Sequence, residues 1–222
     1  MTDFEMLLKQ VNQCQLCAAS LTHGVRPVVQ LDPQAKILII GQAPGRKVHE
    51  TGIPFNDASG DRLREWLGVS REVFYDAKQV AIMPMGFCYP GSYSAATAKK
   101  GQSGDLPPRP ECAPKWHALL LAHLTQVELV LLVGQYAQQY YLSEHRLTIN
   151  ALTNSELVDF DIANKPKTLT ETVKQWRSFG PLCLPLPHPS PRNNIWLSRN
   201  PWFEQDVLSH IQQRVSKALS LS

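Results

Sequence analysis

Four short apolar runs punctuate the chain: KILII (36–40), VAIM (80–83), VELVLLVG (127–134) and LCLPL (182–186). Runs this short, continuous rather than alternating, predict strands buried on both faces. Between them apolar positions recur at helical spacing. Phe4, Leu7, Leu8 and Val11 predict a first helix capped by Asp3. Leu63, Trp66 and Leu67 predict a second over SGDRLREWLG (59–68), capped by Ser59 and stopped by Gly68. PKWHALLLAHL (114–124) reads as a helix, and another opens at Gln135. TLTETVKQW (168–176) starts with a capping box from Thr168 to Glu171. Asn200 caps a final helix with Pro201 at its first position and Val207, Leu208, Ile211 and Val215 along its apolar stripe. A long loop spans 84–114, and 143–167 reads as an insertion loop.

Buried strands alternating with helices predict an α/β fold, a three-layer α/β/α sandwich around a central, mainly parallel four-stranded sheet. At 222 residues the chain fits a single domain, 1–222. In such folds ligands gather at the carboxyl ends of the strands. GQAPG (41–45) follows the first strand and HPSPRN (188–193) the last, so the fold predicts that these distant segments meet at one site.

Composition narrows the classes. No apolar run approaches the roughly 18 residues that span a bilayer. The start, MTDFEMLLKQ, has neither a basic stretch nor a long apolar one, so a cytoplasmic or nucleoid-associated protein is expected rather than a secreted one. A net charge of +3 permits a nucleic-acid partner without demanding one. The 17 prolines cluster in PMGFCYPG, DLPPRPECAP and PLCLPLPHPSP, which predicts loops of fixed shape.

In GQAPGRKVHETGIPF (41–55), Gly41 and Gly45 let the backbone approach a ligand closely, and Pro44 stiffens that approach. Phe55 offers a ring for stacking on a planar base, or else simply packs in the core of a tight strand-to-helix connection. In HPSPRN, His188 suits a donor to a developing anion, and Ser190 and Arg192 suit phosphate contacts; the bland alternative is a surface histidine in a proline-rich loop. Five cysteines in a non-secreted chain favour metal or redox chemistry over disulfides. Cys14 and Cys17 form a C-x2-C pair; with Cys88 and Cys112 they make four thiolates, enough for a [4Fe–4S] cluster or a structural zinc. Cys183 lies within a strand and reads as core. SYSAATAKKGQSGD (92–105) reads as a solvated loop.

Taken jointly, these residues resemble the uracil-DNA glycosylase superfamily. Gly41-Gln42-Ala43-Pro44-Gly45 matches its first motif and His188-Pro189-Ser190-Pro191 its second. The extension to HPSPRN looks like the single-strand-selective monofunctional branch, whereas GxPF at 52–55 and the four cysteines look like the iron–sulfur family 4 enzymes. The resemblance runs from Cys14 to the last helix. It implies a monomeric, monofunctional DNA glycosylase of base excision repair, which flips a damaged base out of DNA and hydrolyses its N-glycosidic bond. It implies that Gly41, Gln42, Ala43 and Phe55 bind the base, Phe55 by stacking, and that His188 donates to the departing base. Pro44, Gly45, Pro189, Ser190 and Asn193 would contact DNA, and Arg192 would fill the gap left in the helix. Cys14, Cys17, Cys88 and Cys112 would hold a [4Fe–4S] cluster, with zinc as the alternative, tying segment 1–35 to loop 84–114.

Three positions depart from the family pattern. Ala43 replaces a water-orienting aspartate, and Pro84 stands where family 4 has a uracil-reading asparagine. Asn56 and Asp57 follow the PF dipeptide, and one of them is expected to compensate as reader or water-holder. Two rival functions remain: a glycosylase for hypoxanthine or xanthine, and a DNA-binding module without activity.

Overall fold

The computed structural model describes residues 1–94, 98–99, 103–142 and 166–220. The expected insertion loop, apart from its last two residues, lies outside these, as does the middle of the 92–105 segment. The strands are β1 (Ile37–Ile40), β2 (Val80–Ile82), β3 (Leu129–Val133) and β4 (Cys183–Leu186). The helices are α1 (Asp3–Asn12), α2 (Arg46–Thr51), α3 (Ala58–Leu67), α4 (Arg71–Tyr75), α5 (Cys112–Leu121), α6 (Gln135–Tyr141), α7 (Leu169–Lys174), α8 (Asn194–Arg199) and α9 (Ser209–Ala218).

Every strand residue is buried, which explains the unbroken apolar runs. The order is β2-β1-β3-β4, and all three pairings are parallel. The pleat sends Leu38, Ile40, Val130 and Leu132 into one core with Phe4, Trp116, Leu120 and Tyr141. Ile37, Ile39, Leu129 and Leu131 enter the other, with Leu63, Trp66, Phe203 and Ile211. Each such side chain contributes about 1.5–3 kcal/mol by leaving water. The result is the expected α/β/α sandwich. From β1 the chain steps out to β2, then crosses back to β3 on the other side of β1. That reversal opens a crevice at the carboxyl ends of β1 and β3.

Several helix ends differ from expectation. Thr2, not Asp3, caps α1: its hydroxyl accepts from Glu5 N, and the Glu5 carboxylate accepts from Thr2 N. Asp57, not Ser59, caps α3, its Oδ1 accepting from the Ser59 and Gly60 N–H groups at 3.0 Å each. Both helix starts offer two cap-competent residues, Thr2 beside Asp3 and Asp57 two positions before Ser59, and the one nearer the amino terminus takes the role. The box at Thr168 and Glu171 forms as expected. At the carboxyl end α8 intervenes, and Asn200 makes no side-chain cap; its Oδ1 accepts from Trp202 Nε1 and its Nδ2 donates to Trp196 O. A π-helical stretch, Phe203–Leu208, leads into α9. Among the described residues no helix is long and apolar enough to cross a membrane.

Candidate active site

A cleft of about 860 Å³ opens at the crevice, lined by residues 41–45, Phe55, Asp57, Pro84 and His188 with the turn that follows it. The two motifs therefore meet. The first wall is GQAPG, which leaves β1 and is strapped to the segment that follows β2: Met85 N donates to Gly41 O and Gly86 N to Gln42 O, each at 3.0 Å. Phe55 stands over this wall, with its Cζ 3.2 Å from where a Cβ on Gly41 would lie. Its ring is set edge-on against Phe74, and its carbonyl accepts from Tyr75 Oη at 3.2 Å. Phe55 holds a left-handed φ of 52°, a conformation that costs a non-glycine residue free energy and persists only when its surroundings enforce it.

The second wall is the HPSPRN turn. Ser190 N donates to His188 Nδ1 at 3.2 Å, and Asn193 Nδ2 donates to His188 O at 2.7 Å. A backbone N–H can only donate, so Nδ1 carries the lone pair and the proton sits on Nε2. Burial pushes the His188 pKa down to about 4, against the charges of Asp57 and Asp105, which raise it, and together with Arg192, which lowers it. The ring is thus a neutral donor at pH 7. Its Nε2 makes no hydrogen bond among the described residues and is left for a ligand in the cleft.

Of the residues read from sequence, Gly41, Gln42, Ala43, Pro44, Gly45, Phe55, Asp57, His188, Ser190, Arg192 and Asn193 all line the cleft. Two do not. Asn56 turns away, its Oδ1 accepting from Arg71 Nη2 at 3.1 Å. Pro189 is buried beneath the turn, and its carbonyl accepts from Arg62 Nη1 at 3.3 Å. Pro84 lines the cleft while its carbonyl is held from behind by the Nε2 of buried His117 at 3.1 Å. Ser190 O also accepts from Arg62 Nη1, so one side chain of α3 clamps the turn. Sequence reasoning missed Arg62, and it missed Asp105, which reaches the cleft from the long loop with its Oδ1 accepting from Ser92 Oγ at 2.8 Å. It also missed Arg46 and Lys47, exposed cations at the rim whose place directly after Gly45 was the available signal.

The family model described as the uracil DNA glycosylase superfamily matches residues 28–212. The chain belongs to that superfamily. The match takes in both walls of the cleft and the whole sheet, and superfamily membership carries a DNA glycosylase type of function and a DNA partner. Cys14 and Cys17 precede the matched stretch; Cys88 and Cys112 lie within it.

In this glycosylase fold all four cysteines line a second, apolar cavity, with Leu21, Phe87, Arg109 and Trp116 around them. All are free thiols, and Phe87 N donates to Cys112 Sγ at 3.4 Å. Burial pushes the Cys88 thiol up to about 11 and Cys112 up to about 12, and the neighbouring cysteines add to both shifts. Among the described residues no three His, Cys, Asp or Glu side chains are gathered tightly enough to hold a metal ion. The donor set nevertheless fits an iron–sulfur group in kind: four sulfurs around one water-poor cavity, with a backbone N–H already directed at one of them.

Proposed function

We propose that this protein is a monofunctional DNA glycosylase that hydrolyses the N-glycosidic bond of uracil, or of a related deaminated base, and leaves an abasic site. The observation that carries the reading is the neutral His188 with Nε2–H facing the cleft. As the bond to the sugar breaks, its electron pair departs with the base, and a preorganised donor to that anion is worth about 3–4 kcal/mol of barrier. Phe55 supplies a stacking face for the extruded base. The carboxylates of Asp57 and Asp105 supply negative charge where the sugar turns cationic, and they offer acceptors for the attacking water in place of the side chain Ala43 lacks. Arg46, Lys47, Ser190 and Arg192 supply phosphate contacts around the rim. Among the described residues Lys47 is the only lysine that lines the cleft, and it is exposed rather than desolvated as a Schiff-base nucleophile requires, which supports hydrolysis without strand cleavage.

Cys14, Cys17, Cys88 and Cys112 would hold a [4Fe–4S] cluster, or zinc, tying the amino-terminal segment to the long loop. Such a group supplies cross-linking stability, and the hydrolysis proceeds on the other residues. Pro84 favours one second reading: with no amide at that position, hypoxanthine or xanthine is an alternative substrate. The test is single-turnover scission of an abasic product after incubation with uracil-containing oligonucleotide. Cleavage by the parent and its loss in His188→Ala support the reading; DNA binding with no cleavage of any deaminated base leaves only a binding module.

A further inference from the structure

An enzyme that extrudes a base reads it through hydrogen bonds to the base edge. Reading an edge that presents an N–H beside a C=O calls for a side chain with one acceptor and one donor a few ångströms apart. Three carboxamides line the cleft: Gln42, Gln135 and Asn193. Asn193 spends its amide donor on His188 O, and Gln135 is exposed at the mouth. Gln42 is half-buried at the carboxyl end of β1, and its carboxamide makes no hydrogen bond among the described residues. A half-buried amide with no protein partner among the described residues keeps both its donor and its acceptor available to a ligand in the cleft.

The fold makes room for it. Gly134, at the end of β3, has a φ of +84°, and a Cβ there would come within 2.6 Å of Gln42 Nε2. The Gln42 side chain therefore lies across the gap between β1 and β3, at the reversal of the sheet, over a position that only glycine leaves open.

We propose that the Gln42 carboxamide is the base reader of this cleft and that it selects bases with a lactam edge, an N–H adjacent to a C=O. Gln42 Oε1 accepts from the ring N–H and Nε2 donates to the neighbouring carbonyl. Uracil, hypoxanthine and xanthine share this edge, and methylation of the ring nitrogen removes it. The assignment rests on the glycosylase reading above.

The experiment compares single-turnover excision of uracil and 3-methyluracil from otherwise identical oligonucleotides, by the parent and by Gln42→Leu, which keeps the bulk and removes both polar atoms. The parent is expected to prefer uracil about ten- to hundredfold, the discrimination typical of one good bidentate contact. Gln42→Leu is expected to lose that factor on uracil alone, bringing the ratio near one, with DNA affinity and melting temperature unchanged. Gln42→Glu, which keeps the shape and loses the donor, is expected to fall with it. An active parent whose preference persists in both variants overturns the role of Gln42 and leaves the glycosylase reading standing. A parent inactive on every deaminated base overturns both.

Discussion

The backbone N–H of Ser190 points at Nδ1 of His188 from 3.2 Å, and that one contact selects the tautomer of the ring. The rigid Pro189–Pro191 turn holds it in place. The physical consequence is a pH profile. With the His188 pKa lowered to about 4, the neutral donor persists until the pH falls to that region. Excision rates are expected to stay flat from pH 8 to about 5 as far as His188 is concerned, and to fall as the pH approaches 4. Nitrogen NMR of the labelled imidazole at pH 6.5 checks the same point: a protonated Nε2 and a bare Nδ1 are expected, and an imidazolium contradicts the assignment.

Arg62 is expected to matter more to rate than to stability. Its Nη1 donates to Pro189 O and Ser190 O, both at 3.3 Å, and so fixes the backbone that carries His188. Arg62→Ala should lower the single-turnover rate about tenfold, as small misplacements of a catalytic donor do. The change in unfolding free energy should stay within about 1 kcal/mol.

Gly60 should be intolerant of any side chain. A Cβ there would lie 1.7 Å from Phe55 O, a backbone atom that cannot swing away. Gly60→Ala therefore displaces either α3 or the left-handed Phe55, and a loss of about 2–4 kcal/mol is expected in denaturant titration. Phe55→Ala relieves no such clash and should cost rate on the extruded base, through lost stacking of about 1–3 kcal/mol.

His117 gives the fold an acid limit. It is fully buried, its Nε2 donates to Pro84 O and its Nδ1 accepts from Tyr141 Oη, and burial lowers its pKa to about 4. A depressed histidine pKa means the unfolded chain takes up the proton first. The stabilisation is then complete above pH 6.5 and is lost as the pH falls from there through about 4, by about 3 kcal/mol at the end. His188 adds in the same direction and window. Unfolding free energies measured between pH 7 and 4 should slope downward in the parent and less steeply in His117→Gln.

The strands were legible because burial on both faces leaves no polar position to confuse the period. The site was legible where chemistry is concentrated in a short motif at a strand end, as at Gly41–Gly45 and His188–Asn193. Asn56 misled because adjacency to Phe55 says nothing about direction: the left-handed Phe55 turns the next side chain towards Arg71. Asp105 and Arg62 carried no local signal. One sits in a small polar loop and the other on the exposed-looking side of a helix, and only the packing of the long loop and α3 around the cleft brings them to the His188 turn. The π-helical stretch at Phe203–Leu208 escaped notice because its apolar residues fit an ordinary helix equally well.

The thiol cavity makes a separate prediction. Protein prepared without oxygen should carry iron and sulfide, or zinc, and Cys112→Ser should lose the metal and melt at lower temperature. The base preference of the surviving folded fraction should not change, since no cleft-lining residue belongs to that cavity. Metal-free parent protein with unaltered melting would count against a structural cluster.

The most direct measurement is release of free base from DNA. Oligonucleotides carrying one uracil, hypoxanthine or xanthine are incubated with excess protein, and the liberated base is quantified by mass spectrometry beside the abasic strand. Equimolar free base and abasic strand from at least one of them, abolished by His188→Ala with DNA binding retained, is the predicted result. Binding without release of any of the three contradicts the account.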